Sequence, residues 1–255
     1  MSVCGQQRSL LESNAMTLLR SWQKHFSVLT PEHLRRLLWI GLAFLFLGIF
    51  IKVSWELHED SGMDSLDRRI LIFVSNLRTT ALNGRAVDIS ALGSPTVVTV
   101  FTVIGVVLLW LNRDRWGCAY LTIGSAGAGV GTYVLKHFFR RERPSVIPQL
   151  VEVSGFSYPS GHSITATSFY LLLMFLAWRH YPSWQARVVL SACTALLIGG
   201  VCFSRLYLGV HYPSDVLSGI CFGAAWVFLL TSCFSDADNR NSGIRDVRIR
   251  QSGNK

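Results

Sequence analysis

Six long apolar segments set the tightest limit on what this chain can fold into. Each is close to the roughly 20 residues that a helix needs to cross the hydrocarbon core of a bilayer. Inside a bilayer the backbone finds no water, so a spanning segment must satisfy its own hydrogen bonds as a helix. We therefore predict an all-α integral membrane protein, a six-helix bundle, and not a soluble protein with buried helices. The predicted spans are residues 37–55, 89–112, 116–135, 160–178, 188–204 and 216–235, of which the fifth is the shortest.

The charge content supports a membrane location and narrows the partners. Only 15% of the residues are charged, whereas soluble domains carry about a quarter. The net charge of +9 is compatible with nucleic acid, with an anionic membrane surface or with a phosphorylated substrate. Because the basic residues flank apolar spans and form no single polar face, we expect no nucleic-acid partner. The six cysteines show no CxxC spacing, so we interpret them as small apolar packing residues rather than metal ligands or disulfides.

The segments between the spans suggest how the chain is organised. Residues 1–36 are polar and basic, and we interpret them as a cytoplasmic segment and not as a cleavable signal peptide. Residues 37–235 form the predicted six-span domain, and residues 236–255 a disordered cytoplasmic tail. With the N-terminus inside, the inner loops hold a modest excess of Lys and Arg, which favours two cytoplasmic termini.

Residues 56–85 join the first two spans on the outer side. Apolar side chains recur there at helical spacing, with charged residues between them. This pattern predicts an amphipathic helix lying in the membrane interface. Two roles remain open for it: a structural connector, or a lid at which lipid enters. The apolar positions are Leu66, Ile70, Phe73, Val74 and Leu77.

Three polar motifs follow or precede the later spans, and counting spans puts all of them on the outer side. Lys136 and Arg143-Pro144 follow the third span, within residues 136–144. Residues 159–162 precede the fourth span and read Pro-Ser-Gly-His. The third motif occupies residues 204–215, between the fifth and sixth spans. Residues far apart in sequence can therefore converge on one pocket.

The basic residues and the second motif fit a phosphate group. Lys136, Arg143 and Arg205 can surround one anion with three positive charges, and arginine adds a planar fork of donors. Ser160 can cap the fourth span, whose free N–H groups at Gly161 make an anion site. Taken singly, Lys136 and Arg143 are more typical of membrane anchors that reach toward the interface.

The histidines supply the reactive groups. His211 lies four residues before Asp215, close enough for a carboxylate–imidazole hydrogen bond that fixes the tautomer and leaves the other nitrogen free to attack phosphorus. His162 would stand beside the same anion. The alternative for each histidine is a structural role near a helix start. Three ordered motifs on one membrane face favour a catalytic site over three coincidental ones.

Together these residues resemble the type 2 phosphatidic acid phosphatase superfamily. Its pattern has Lys, six residues and Arg-Pro; then Pro-Ser-Gly-His; then Ser-Arg, five residues, His, three residues and Asp. This sequence matches every signature position, from Lys136 to Asp215. The superfamily also contains soluble acid phosphatases and vanadium haloperoxidases, and six spans argue against both.

The resemblance implies a role for each matched residue. His211 would be the nucleophile that forms a phosphohistidine, Asp215 would orient it, and His162 would protonate the leaving alkoxide and then help to activate water. The resemblance implies no metal cofactor, and the sequence offers no carboxylate cluster suited to Mg²⁺. The implied phosphate ligands are Lys136, Arg143, Arg205, Ser160 and the Gly161 amide.

The expected function is hydrolysis of a phosphomonoester or diphosphate on a membrane lipid. Because the loop at 145–158 is short, we expect no large outer domain there and lateral access from the bilayer. Phosphatidic acid, phosphatidylglycerol phosphate, undecaprenyl diphosphate and a lipid A phosphate remain open as substrates. The expected location is a bacterial inner membrane, with the pocket facing the periplasm. Two alternatives remain: phosphotransfer to another lipid, and a lipid-binding or transport protein with a lapsed site.

Overall fold

The computed structural model describes residues 30–57, 62–181 and 183–252, with side chains up to Phe234. All regular secondary structure in this part of the chain is helical. Most of the predicted cytoplasmic segment 1–36 lies outside the described residues. The helices are α1 (Pro31–Glu56), α2 (Met63–Ser75), α3 (Thr80–Ala91), α4 (Pro95–Leu111), α5 (Arg115–Phe139), α6 (Gly161–His180), α7 (Trp184–Tyr207) and α8 (Pro213–Ser252).

Local sequence explains where most of these helices begin. A Ser, Thr or Asp side chain at the N-cap accepts a hydrogen bond from a backbone N–H of the first turn, which otherwise has no partner. Proline occupies the first position of α1, α4 and α8, where its missing N–H costs nothing. The capping residues are Thr30, Thr79, Ser94, Asp114, Ser160 and Ser183.

The chain is a multi-pass integral membrane protein. Five helices are long and apolar enough to cross a membrane: α1, α5, α6, α7 and residues Pro213–Phe234 of α8. The shortest predicted span, 188–204, lies within α7 and is one of these five. A sixth span is possible if α3 and α4, bent by 44° at a short break, count as one.

The predicted span 89–112 is wrong in that this stretch is not a single helix. The structure divides this stretch between the last residues of α3 and the whole of α4. Ser94 caps α4 and Pro95 begins it. Because proline has no N–H to continue the hydrogen-bond ladder of the preceding helix, the Gly93-Ser94-Pro95 sequence ends one helix and starts the next.

Helices α6 and α8 form the centre of the bundle. α6 packs against α5, α7 and α8, and α1 packs along α8. Glycines on α5 allow close approach of neighbouring helices: a Cβ on Gly131 would lie 2.6 Å from the Phe222 ring, and one on Gly124 would overlap Leu172. Gly129 faces open space and has no such role.

The cysteines only partly fit the interpretation as packing residues. Within the described part of the chain all are free. Cys118, Cys202 and Cys221 are buried, whereas Cys193 and Cys233 are exposed.

Helix α2 lies where the amphipathic segment was predicted, but its inward face is a different one. Asp67, Leu71 and Val74 are buried, whereas Leu66 is 54% and Phe73 65% exposed. Most of the predicted apolar stripe therefore does not pack against protein, and a buried carboxylate lies on the face that does. The interfacial position of the helix stays a prediction, and residues 58–61 lie outside the described part.

The C-terminal segment also differs from its prediction. The backbone of α8 continues as helix to Ser252, where a disordered tail was expected for residues 236–255. No proline follows Pro213, so no residue forces this helix to end at the membrane surface. Residues 253–255 lie outside the described part of the chain.

Candidate active site

The three motifs meet at one end of the bundle, where α5 and α7 end and α6 and α8 begin. The Ser160 N–H donates to the Asp215 carbonyl oxygen at 3.0 Å and joins the second motif to the third. Arg143 Nη1 donates to the Val210 carbonyl oxygen at 2.9 Å and joins the first motif to the third. The structure thus brings together residues that are up to about eighty positions apart in the sequence.

His211 and Asp215 lie side by side, and both are buried. His211 Nδ1 is 3.5 Å from Asp215 Oδ2, which is longer than an ordinary hydrogen bond. The Ser157 hydroxyl bridges this gap: its oxygen is 3.3 Å from His211 Nδ1, and it donates to Asp215 Oδ2. The expected direct carboxylate–imidazole bond is therefore replaced by one that passes through serine.

His211 is neutral near pH 7 in this setting. Burial lowers the pKa of its imidazole to about 4; Asp215 opposes this shift, while Arg205 and Arg143 reinforce it. Its Nε2 atom lies 3.5 Å from Arg143 Nη1, on the side away from Ser157. A neutral imidazole held at Nδ1 presents the Nε2 lone pair, which is the form that can attack an electrophile.

Three cations belong to this cluster: Arg143 lies 3.5 Å from Nε2, and Lys136 and Arg205 interact electrostatically with Arg143. Arg143 donates from Nε to the Gly155 carbonyl at 3.0 Å, and burial lowers its pKa although Asp215 opposes this. Lys136 Nζ donates to the Phe156 carbonyl, which leaves two of its three donors available. Arg205 is 4% exposed and donates to Ser90, but its Nε is buried without a hydrogen-bond partner among the described residues. An unpartnered buried donor is costly, and an anion in the site would satisfy it.

The start of α6 supplies the remaining predicted groups. Ser160 is fully buried, and its hydroxyl accepts from the Ser163 N–H at 3.4 Å. A Cβ on Gly161 would lie 3.1 Å from Thr132, so glycine lets this helix end approach α5. His162 is partly buried and interacts electrostatically with Arg205, His211, Lys136 and Arg143.

Comparison with known proteins identifies the family. The model of the PAP2 superfamily matches residues 116–238. Phosphatidylglycerophosphatase B of Bacillus subtilis (strain 168) is 30% identical over 190 residues, which cover 73% of this chain and 91% of that protein. The chain belongs to the PAP2 superfamily.

Further relatives agree with this assignment. The undecaprenyl-diphosphatase of Sulfolobus acidocaldarius is 28% identical over 74% of this chain and 86% of that protein. A crystal structure of a transmembrane PAP2-type phosphatidylglycerolphosphate phosphatase from Bacillus subtilis superposes with a TM-score of 0.70 at 26% identity, over 74% of this chain and 94% of that one. These relatives are phosphatases of lipid phosphates, and the chain is an enzyme of the phosphoric ester hydrolase class.

Four residues at this PAP2 site were missed by the sequence analysis. Ser157 bridges His211 and Asp215, and the Ser90 hydroxyl on α3 accepts a hydrogen bond from Arg205. Asp67 on α2 and Arg141 between the motif residues contact the start of α8. Ser157 lies only two residues before the Pro-Ser-Gly-His motif, which was a usable signal. Nothing in the local sequence marks Ser90 or Asp67.

The residues of this PAP2 site do not form a metal-binding group. Within the described residues, no cluster of three or more His, Cys, Asp and Glu side chains is arranged to hold a metal ion. Asp215, the carboxylate beside His211, already accepts hydrogen bonds from Arg141, Ser157 and the Tyr212 N–H. The expectation that no metal takes part in the reaction stays a prediction.

Proposed function

We propose that this protein hydrolyses a phosphomonoester or diphosphate of a membrane lipid through a phosphohistidine on His211. The observation that carries the proposal is the pairing of a buried, neutral His211 with a buried, unpartnered donor on Arg205. A nucleophile beside a hydrogen-bond donor that can bind an anion suits phosphoryl transfer, because catalysis of that reaction rests mainly on positioning and charge stabilisation.

In the first step, His211 Nε2 attacks phosphorus and the bond to the lipid oxygen breaks. Arg205, Arg143 and Lys136 neutralise the charge on the phosphoryl oxygens, together with the amides at the start of α6. His162 gives its proton to the leaving alkoxide, or to the leaving phosphate if the substrate is a diphosphate. The imidazole of His211 becomes positively charged when it carries the phosphoryl group.

The Ser157–Asp215 arrangement explains how that charge is tolerated in a buried site. The Nδ1–H of His211 donates to the Ser157 oxygen, and the Ser157 hydroxyl donates to the Asp215 carboxylate. The negative charge of Asp215 thereby stabilises the charged imidazole and holds its ring orientation. In the second step, His162 takes a proton from water, water attacks phosphorus, and the P–N bond breaks to release phosphate.

A lipid substrate is supported by the setting of the site. The site lies at the ends of apolar helices. Arg143 holds loop 145–158 against it by donating hydrogen bonds to the carbonyl oxygens of residues 154, 155 and 210. Since no large domain covers this end within the described residues, a lipid headgroup can approach from the bilayer. The Bacillus subtilis relative and the Bacillus subtilis crystal structure reported above are both named as phosphatases of phosphatidylglycerophosphate, which makes that lipid the first to assay.

The topology that fits this function has six spans, with α3 and α4 together forming the second. Both termini are then cytoplasmic, with 1–36 and 236–255 on that side and 37–235 as the six-span domain. The site faces the periplasm of a bacterial inner membrane. The contact of Asp67 on α2 with Arg141 after α5 supports this count, because both segments must lie on one side of the membrane.

The test measures phosphate release in detergent from phosphatidylglycerophosphate, phosphatidic acid, undecaprenyl diphosphate and a soluble phosphate ester, with and without EDTA. We expect release from at least one lipid that persists in EDTA and is lost in His211→Ala. His137→Ala is the matched control, because His137 lies at the same end of α5 but is exposed and bonds only to the Tyr133 carbonyl.

The outcomes separate the candidate functions. Equal activity of His211→Ala and wild type would show that His211 is not the nucleophile. Loss of activity in EDTA, restored by a divalent cation, would refute the metal-free mechanism. A soluble ester cleaved as well as the lipids would refute the lipid substrate. Product analysis with an acceptor lipid distinguishes hydrolysis from phosphotransfer, and a wild type without any turnover would indicate a lapsed site.

A further inference from the structure

We infer that Arg141 and Asp67 are positioning residues, which hold the Asp215 carboxylate in the orientation that the reaction of His211 requires. Through them helix α2 becomes part of the support of the active site and is more than a connector. The inference rests on the proposed function, because it assigns Asp215 and His211 the roles given above. It goes beyond that function in naming two residues that are not signature positions of the three motifs.

Arg141 links the catalytic carboxylate to a second buried carboxylate. Its Nη1 donates to Asp215 Oδ1 at 2.7 Å and contacts the Ser214 hydroxyl oxygen at the same distance. Its Nη2 donates to Asp67 Oδ2 at 2.9 Å. The guanidinium also lies 4.1 Å from the centre of the Tyr212 ring, a cation–π contact. Both arms of the planar fork are thus fixed, which a lysine ammonium cannot reproduce.

Asp67 also caps the helix that carries Asp215. Its Oδ1 accepts from the Ser214 N–H at 3.0 Å, in the first turn of α8, and its Oδ2 accepts from the Ser214 hydroxyl. A carboxylate at a helix N-terminus satisfies a free N–H and the helix dipole together. Here the cap comes from another helix, about 150 residues away in sequence, and Asp67 is 1% exposed.

This geometry divides the two oxygens of Asp215 between structure and catalysis. Oδ1 is held by Arg141, while Oδ2 accepts from the Tyr212 N–H at 2.8 Å and from Ser157, next to His211. Without Arg141, no cation would donate a hydrogen bond to the fully buried Asp215 carboxylate, which favours its protonation or rotation. Burial alone lowers the pKa of Arg141, but Asp215 and Asp67 outweigh it and raise that pKa above its ordinary value.

The experiment compares Arg141→Ala, Arg141→Lys and Asp67→Asn with two matched controls, in the full chain purified in detergent. Arg140→Ala removes the neighbouring exposed arginine, which donates only to the His137 carbonyl. Asp64→Asn removes an exposed carboxylate 3.4 Å from the same Arg141 nitrogen. Size-exclusion profile and thermal unfolding are recorded for each variant, and kcat and KM are measured on the lipid that the wild type hydrolyses best.

We expect Asp67→Asn and Arg141→Ala to lower kcat by on the order of 10- to 100-fold, the usual loss when a partner that orients an active-site ligand is removed. KM should stay close to wild type, because neither side chain reaches the phosphate. Arg141→Lys should lose less kcat than Arg141→Ala, because lysine restores the positive charge but cannot reproduce both arms of the guanidinium. Both controls should retain the wild-type kcat.

A double substitution tests whether Asp67 acts through Arg141. In the Arg141→Ala background, Asp67→Asn should have little further effect on kcat, because the two residues act on one carboxylate. Wild-type kcat in Arg141→Ala or Asp67→Asn, or additive losses in the double variant, would overturn the inference. The inference would also be overturned if these variants changed only the unfolding temperature or KM and left kcat unchanged. A wild type and controls that release no phosphate would instead defeat the proposed function, and the two failures are thus distinguishable.

Discussion

Replacing Ser157 by alanine removes the hydroxyl that connects His211 to Asp215. The direct separation between His211 Nδ1 and Asp215 Oδ2 is 3.5 Å, so the remaining contact is weak. Asp215 keeps its bonds from Arg141 and the Tyr212 N–H, and the buried carboxylate therefore retains its charge partner. We expect Ser157→Ala to fold and to lose catalysis specifically.

The size of the loss follows from the bond that is removed. A hydrogen bond to a charged group contributes about 1.5–3 kcal/mol. If this bond is fully needed only when His211 becomes positively charged, the loss appears in kcat as a factor of about 10 to 150, at 1.36 kcal/mol per tenfold. KM should change little, because Ser157 lies behind the imidazole and away from the phosphate.

The assay is single-turnover phosphate release from the best lipid substrate, with Ser154→Ala as the control. Ser154 lies in the same loop, is exposed, and contributes only its carbonyl to Arg143. If Ser157→Ala and Ser154→Ala release phosphate at the same rate, the serine bridge has no catalytic role, and His211 and Asp215 must make direct contact during the reaction.

Three further predictions concern charge, pH and packing. Arg205→Ala should lower kcat/KM by on the order of 10²- to 10³-fold, which is the loss typical of removing one oxyanion donor. A smaller loss would show that Arg205 does not bind the phosphate. Because burial lowers the pKa of His211 to about 4, the acid limb of kcat/KM that reports His211 should lie at about pH 4, where the imidazole becomes protonated; an acid limb near 6.5 attributable to His211 would contradict this. Gly93→Ala should lower the unfolding temperature in detergent, because its Cβ would overlap the Val201 side chain and lie 3.2 Å from the His162 carbonyl, at a cost of about 1–3 kcal/mol. Gly129→Ala, which adds a Cβ in open space, should not lower it.

The sequence alone determined the class of fold and predicted the candidate reactive groups. Apolar length and charge-free runs are local properties that a bilayer selects directly, so the all-helical membrane architecture could be read from them. The motif residues could be found because their spacing is fixed by adjoining helix ends. Even the break between α3 and α4 had a local signal in Ser94-Pro95, although the charge-free run concealed it.

The tertiary structure decided which polar residues support those groups. Asp67 lies among charged residues on a short amphipathic helix and looks like part of a solvated face, yet it is buried against Arg141 and Ser214. Ser90 reaches Arg205 only because α3 packs against α7. A buried charge or hydroxyl must find a partner wherever the fold supplies one, and that partner is set by helix packing and not by position in the sequence.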